Sequence, residues 1–308
     1  MKKLIIKILF YFLLLFTIII ISIGISSHIV KKRHFKNFET ESNLLVMQKN
    51  HQYDMLIMGI SHARNFTRYH NHEIIEKILD QDILNIGRGK GKCGSREQLF
   101  YLDYFYHENN HARQLVYVIS PPLFFSDALP VASNTFDKEP FELDFIIRYL
   151  HFKSENKFQR IVSYLQTKLR PSWFIHHPSS QKSMDIKLDK IDPVAVEKGQ
   201  NYAYDSPTLK MENFDFNAAT IEETIDLALS QKSEVFLIIT PALFGKWRGH
   251  EFVDEFGKKM ALKDGVQYYD FSESILEPEY YFDHHHLNTA GVIFFTEHYL
   301  KPVLQIQE

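Results

Sequence analysis

Residues 53–64 read Tyr-Asp-Met-Leu-Ile-Met-Gly-Ile-Ser-His-Ala-Arg. The run from Tyr53 to Ile60 is short and apolar at both odd and even positions, the pattern of a strand buried between two layers. Four more runs of this kind follow, at Asp82–Ile86, Gln114–Ser120, Glu234–Thr240 and Val266–Phe271. Among them lie stretches of helical period, Glu73–Leu79, Arg96–Tyr106, Ile221–Leu229, Phe252–Leu262 and Thr289–Leu300. Strands alternating with helices predict an α/β fold, a three-layer α/β/α sandwich around a parallel five-stranded sheet. Such sheets take ligands at the carboxyl ends of their strands, so chemistry is expected directly after each run.

Between the third and fourth runs the alternation stops. The interval 122–217 is too long for a simple crossover and reads as an insertion on the carboxyl side of the sheet, a lid or substrate platform. It holds helical patterns at Phe141–Leu150 and Lys157–Leu169, then the aromatic and histidine-rich Trp173-Phe174-Ile175-His176-His177.

Upstream of the first run the chain changes character. From Ile8 to Val30 there is no Asp, Glu, Lys or Arg. As a helix this run reaches about 34 Å, enough to cross a bilayer. Lys2, Lys3 and Lys7 precede it and Lys31, Lys32 and Arg33 follow it, so the flanking charges tie and do not set an orientation. The run is longer than the apolar core of a secretory signal peptide, although Ile25-Ser26-Ser27 leaves a cleavage site open. Nothing amphipathic interrupts it, which argues against a buried core helix. The expected organisation is an anchor and its flanks at 1–35, a polar stalk at 36–52, and one α/β domain at 53–308.

Composition excludes several classes. With 308 residues, 45% hydrophobic and 24% charged, the chain is neither disordered, collagenous nor a coiled coil. The net charge of −3 sums two unlike parts: the first 33 residues carry six of the 35 Lys and Arg and no acid, leaving 29 basic against 38 acidic residues beyond them. A domain with a net of −9 and no basic stripe is not a nucleic-acid binder. The single cysteine, Cys93, excludes an internal disulfide framework and a cysteine-rich zinc site.

Three constellations carry candidate chemistry. Gly59-Ile60-Ser61-His62-Ala63-Arg64 puts a serine on a tight strand-to-helix turn, where its hydroxyl is exposed and its N–H faces an oxyanion; Ser61 also reads as a plain helix N-cap. Asn85-Ile86-Gly87-Arg88-Gly89-Lys90-Gly91, then Cys93-Gly94-Ser95, lets the backbone approach a ligand closely. Its spacing matches neither a phosphate loop nor a dinucleotide fingerprint, and a flexible turn is the plainer reading. Arg88, Lys90 and Lys92 make this loop cationic, suited to an anionic substrate or simply solvated. In Asp283-His284-His285-His286-Leu287-Asn288-Thr289-Ala290-Gly291, the spacing lets Asp283 accept from one nitrogen of His286 while the other faces outward, and Asn288 or Thr289 can cap the next helix. Three consecutive histidines invite a metal reading, but adjacent residues on a turn are expected to point apart and no partner ligand set is evident, so no metal is expected.

Taken together, serine after the first strand, a glycine loop after the second and Asp-x-x-His before the last helix resemble the SGNH/GDSL hydrolase superfamily, from about Tyr53 to Leu300. The resemblance implies Ser61 as nucleophile, His286 as general base, Asp283 as its partner and the backbone at Gly87 or its neighbour Gly89 as oxyanion donor, with no cofactor. His62 and Arg64 lie close enough in sequence to contact substrate or oxyanion, Arg64 being equally an ion-pair partner. One departure stands out: the family's asparagine donor after the third strand is replaced here by Ser120-Pro121-Pro122-Leu123-Phe124-Phe125. In this the chain resembles the membrane-anchored branch that includes the D-alanyl lipoteichoic acid transfer protein and the alginate O-acetylation proteins. That branch implies an extracytoplasmic domain beside a membrane-bound O-acyltransferase, acting on a surface polysaccharide or teichoic-acid-like polymer. The expected function is a serine acyltransferase or esterase, the alternatives being a carbohydrate esterase that uses water or a non-catalytic scaffold of an acylation complex.

Overall fold

A computed structural model describes residues 2–34, 48–68, 71–89, 94–126, 136–137, 139–170 and 184–305. Most of the expected stalk, Lys90 to Cys93 of the glycine loop and the Trp173–His177 segment lie outside these residues.

Five strands, β1 (Gln52–Gly59), β2 (Ile83–Asn85), β3 (His111–Val118), β4 (Glu234–Ile239) and β5 (Val266–Asp270), form one sheet in the order β2-β1-β3-β4-β5. All four pairings are parallel, with Met55 opposite Ile83, Gly59 opposite Val118, Val118 opposite Ile238 and Ile239 opposite Asp270. Successive side chains point to opposite faces, which divides each apolar run between two cores. Leu56, Met58, Leu115, Tyr117, Val235 and Leu237 face one core, whereas Met55, Ile57, Val116, Val118, Phe236 and Ile238 face the other. The expected parallel five-stranded α/β/α sandwich is therefore the fold observed.

Helices cover both faces. The first core is closed by Ser95–His107, Met211–Ser230 and His250–Met260, through Phe100, Phe105, Ile221, Ile225, Val253 and Met260. The second is closed by Asn71–Leu79 and by Thr289–Phe295, which continues through a π turn at Thr296–Leu300, with Ile75, Leu79, Val292, Phe295 and Leu300 facing inward. Two boundaries differ most from the sequence pattern. β3 begins at His111, before its apolar run, because pairing continues out to Gln52–His111. The helix expected from Ile221 starts at Met211, and Asn217 in its middle is buried, its amide donating to the Phe124 carbonyl and its oxygen accepting from Ser95. Among the helices that escape the periodicity are Pro121–Phe125 and Pro193–Tyr204; each opens on proline, and Asp192 caps the second by accepting from the Val194 and Ala195 N–H groups.

The interval between β3 and β4 does not fold apart from the sandwich. Phe136, Phe145, Tyr149 and Tyr164 join the same core as Phe100, Tyr101 and Tyr104, with Phe100 and Tyr149 ring centroids 4.8 Å apart. Two buried ion pairs fasten it: Arg160, from helix Lys157–Thr167, to Glu97, and Glu139 to Arg88 of the glycine loop. Arg88 is thus neither a substrate-facing nor a solvated charge.

The amino-terminal helix, Lys2–His34, is long and apolar enough to cross a membrane. Its large side chains from Leu4 to Ile21, except the half-buried Ile20, are exposed to the surroundings, a stretch of about 27 Å at 1.5 Å per residue. Farther along, Ile23, Ser26, Ser27 and Val30 are buried against the insertion. The Ser26 hydroxyl donates to the Lys168 carbonyl at 2.9 Å, and the Ser27 hydroxyl accepts from the Phe141 N–H at 2.9 Å.

Removing one member of a buried pair strands the other without a counter-charge. Arg160→Met is expected to lower stability by about 3–5 kcal/mol in urea unfolding, with much of that loss recovered in the Glu97→Met, Arg160→Met double variant. Equal destabilisation of the single and double variants would show that the pair is not coupled.

Candidate active site

In the order β2-β1-β3-β4-β5 the chain runs outward from β1 to β2 and then returns to place β3 on the other side, so the topological switch lies between β1 and β3. Crevices beyond the carboxyl ends of the strands at such a point are where open parallel sheets hold ligands. Ser61 stands there. Gly59 ends β1 with φ near +140°, and a Cβ at that position would lie 2.6 Å from the Val118 carbonyl oxygen. Only glycine lets the strand pass this close to β3 and turn at once into the short helix Ser61–Asn65.

Ser61 is the first helical residue, not the cap; the cap position is Ile60 and has no side-chain hydrogen bond. Its hydroxyl instead lies 2.8 Å from Nε2 of His286, whose Nδ1 lies 2.8 Å from Oδ2 of Asp283. The other carboxylate oxygen of Asp283 accepts from the backbone N–H groups of His285 and His286, at 3.0 and 2.8 Å. Burial opposes ionisation of Asp283, but the neighbouring His286 and His285 and these hydrogen bonds outweigh it and hold the carboxyl well below the usual range. An ionised carboxylate only accepts, so Nδ1 of His286 carries the proton and Nε2 accepts from the Ser61 hydroxyl. The three groups thus form one polarised chain.

Side-chain amides hold the loops that carry it. Asn85, at the end of β2, donates to the Ala63 carbonyl at 2.8 Å and accepts from the Gly87 N–H at 2.7 Å, joining the serine helix to the glycine loop. Asn65 donates to the Leu287 carbonyl, joining that helix to the histidine loop. Asn288 caps Thr289–Phe295 by accepting from Gly291 and donates to the Glu279 and Ile186 carbonyls. The residue type of Asn85 stands in the Asn-Ile-Gly string; its role is not legible there, because the partners are 22 residues away and two residues away on different loops.

The remaining candidates separate. Gly87 packs on the serine helix, where a Cβ would meet the Arg64 backbone nitrogen at 2.6 Å, and its N–H is committed to Asn85. Gly89 lies beneath the Arg64 guanidinium. His62 is buried, its ring stacked 4.9 Å from that of His286 and edge-on to Trp247 at 5.8 Å. Contrary to the expectation that neighbouring histidines diverge, the His285 and His286 rings lie 4.1 Å apart, because the bridge pairing Tyr281 with Leu287 curls the turn back on itself. Ser120, where the family resemblance leads one to expect an asparagine, is buried two residues beyond Val118, its hydroxyl without a hydrogen-bond partner among the described residues.

Burial, followed by the charge of His286, pushes His285 down to about 3 despite the pull of Asp283. A histidine with a lowered folded value binds fewer protons folded than unfolded, so it adds stability above its unfolded value of about 6.5, and this is lost as pH falls toward 3. His285→Gln should therefore flatten the decline of unfolding free energy across that interval; an unchanged slope would rule out a buried neutral His285. Compared with known proteins, the chain matches no family model and no curated protein sequence.

Proposed function

We propose that this chain is a membrane-anchored serine acyltransferase of SGNH type, with residues 1–35 as its anchor and the domain from residue 53 outside the cytoplasm. The observation that carries the reading is the hydrogen-bonded series Ser61–His286–Asp283 at the switch point of the sheet. A serine hydroxyl is a weak nucleophile at neutral pH, and an adjacent oriented base activates it.

In the first step the Ser61 oxygen attacks the carbonyl carbon of an acyl ester or thioester, and its proton passes to Nε2 of His286. The imidazolium that forms faces an ionised Asp283, which stabilises it without taking its proton. The tetrahedral oxyanion collapses, the leaving alcohol or thiol receives the proton from Nε2, and an acyl-Ser61 ester remains. A sugar hydroxyl of a surface polymer then attacks this ester, giving its proton to Nε2, and collapse returns that proton to Ser61. A carbohydrate esterase would run the same steps with water as acceptor.

The oxyanion needs donors. The first N–H groups of a helix lack intrahelical acceptors, which suits the Ser61 N–H to this role. With the Gly87 N–H committed to Asn85, Gly89 is the donor we assign to the loop. The buried hydroxyl of Ser120 is our candidate for the place of the missing asparagine. Each such donor contributes on the order of 3 kcal/mol to the transition state.

A serine-directed fluorophosphonate should label the wild-type protein at Ser61. Ser61→Ala and His286→Ala should lower acyl-ester turnover by about 10⁴-fold or more, and Asp283→Asn by about 10⁴-fold. Full turnover in Ser61→Ala would sink the nucleophile, and an unlabelled wild type would favour a scaffold. A carboxyl-terminal reporter that works only after export should be active; activity of a cytoplasm-dependent reporter would reverse the orientation.

A further inference from the structure

His62, His285 and His286 each bring one ring nitrogen into a common cluster, the three atoms lying within 4.8 Å of one another. They line a cavity of about 10 Å³ together with Asn65 and Thr240, room for about one water or one ion. Acyl transfer as proposed uses only His286. His62 is the anomaly: a polar ring 6% exposed whose nitrogens make no well-aligned hydrogen bond among the described residues and reach only the backbone of His285. A buried group in that state is costly unless something else satisfies it.

We infer that His62, His285 and His286 form a site for a divalent transition metal of the zinc class, which closes the nucleophilic site by taking Nε2 of His286 away from Ser61. The inhibitory part of this rests on the acyl-transfer reading; the binding part does not.

The geometry suits the ion. Around tetrahedral zinc with Zn–N of about 2.0–2.1 Å, three imidazole nitrogens stand about 3.4 Å apart and their ring centroids about 5 Å apart. The three centroid separations, 4.1, 4.9 and 5.6 Å, bracket that spacing, but His62 lies stacked on His286 with 28° between the ring planes, so the His62 ring must turn about its side-chain bonds before both lone pairs meet at one ion. His62 rotates at the cost of no more than a poorly aligned contact with the His285 backbone among the described residues. Asp283 already holds Nδ1 of His286, the carboxylate–histidine arrangement that orients a metal ligand and raises its basicity. Burial keeps His62 and His285 neutral, the form in which imidazole coordinates. The fourth position is left to water. The exchange balances: the lone pair of Nε2 passes from the Ser61 hydroxyl to the metal, Ser61 keeps its proton, and no oxidation occurs.

The test uses the full chain in detergent, without a histidine tag. Co²⁺ serves as the spectroscopic probe and Zn²⁺ as the competitor. Wild type should develop the visible absorption of four-coordinate Co²⁺ at one ion per chain, lost on adding Zn²⁺. His62→Gln and His285→Gln, each verified as folded by circular dichroism, should bind more weakly by over about 100-fold, the upper cost of losing even a second-shell partner. Zn²⁺ should suppress fluorophosphonate labelling of Ser61 in wild type, whereas His285→Gln should label alike with and without Zn²⁺. Absence of the Co²⁺ spectrum, or equal binding by both variants, overturns the site. Binding without protection of Ser61 overturns the inhibition. A metal-free wild type that fails to label refutes the acyl-transfer reading, while the Co²⁺ titration still decides the metal site.

Discussion

The Val118 carbonyl lies 2.6 Å from where a side chain on Gly59 would begin, and this contact governs the geometry at the centre of the sheet. Register brings Gly59 and Val118 side by side, so β1 must end there and turn. The turn leaves Ser61 at the crevice mouth rather than in a strand, where it would face one of the two cores. From Ser61 the constraint spreads outward through amides: Asn85 ties the serine helix to the glycine loop, Asn65 ties it to the histidine loop, and His286 meets the serine hydroxyl. A local backbone contact between two central strands thereby sets the position of groups 225 residues apart in the chain.

Much of this is legible in the sequence because burial on both faces leaves a strong mark. Each of the five apolar runs is a strand, and the Asp283–Gly291 string holds both the hydrogen-bonded pair and the helix cap that its spacing suggests. The features that escape are of two kinds. The proline-opened helix Pro121–Phe125 is too short to show a period, and Pro193–Tyr204, with few of its residues buried, has little apolar face to show one. Long-range partners leave no mark at all: Arg88 looks like a loop charge because Glu139, which neutralises it, lies in an insertion with no pattern linking the two. His285 is misleading for a related reason, since whether neighbouring rings diverge on a turn depends on a bridge between Tyr281 and Leu287.

The interval between β3 and β4 is fastened to the loops around the site. Through Arg88 and Glu139 it grips the loop that carries Gly87 and Gly89, and the Asp192 N–H donates to Nε2 of His284 beside the Asp283–His286 pair. Charges buried in such pairs tolerate little displacement, because each weakens its pairing with a low-dielectric counter-charge when it moves. Movement of this interval is therefore coupled to the backbone around Ser61.

The same insertion also receives the last turns of the amino-terminal helix, through Ser26 and Ser27. In a bilayer this docking makes the helix a rigid axle rather than a tether. The domain turns and tilts only as the helix does, and the height of Ser61 above the lipid is set by side-chain packing instead of by chain length. Such a protein works as a fixed-focus instrument: the Ser61–His286–Asp283 series is held at one height, and whatever meets it must do so in that plane.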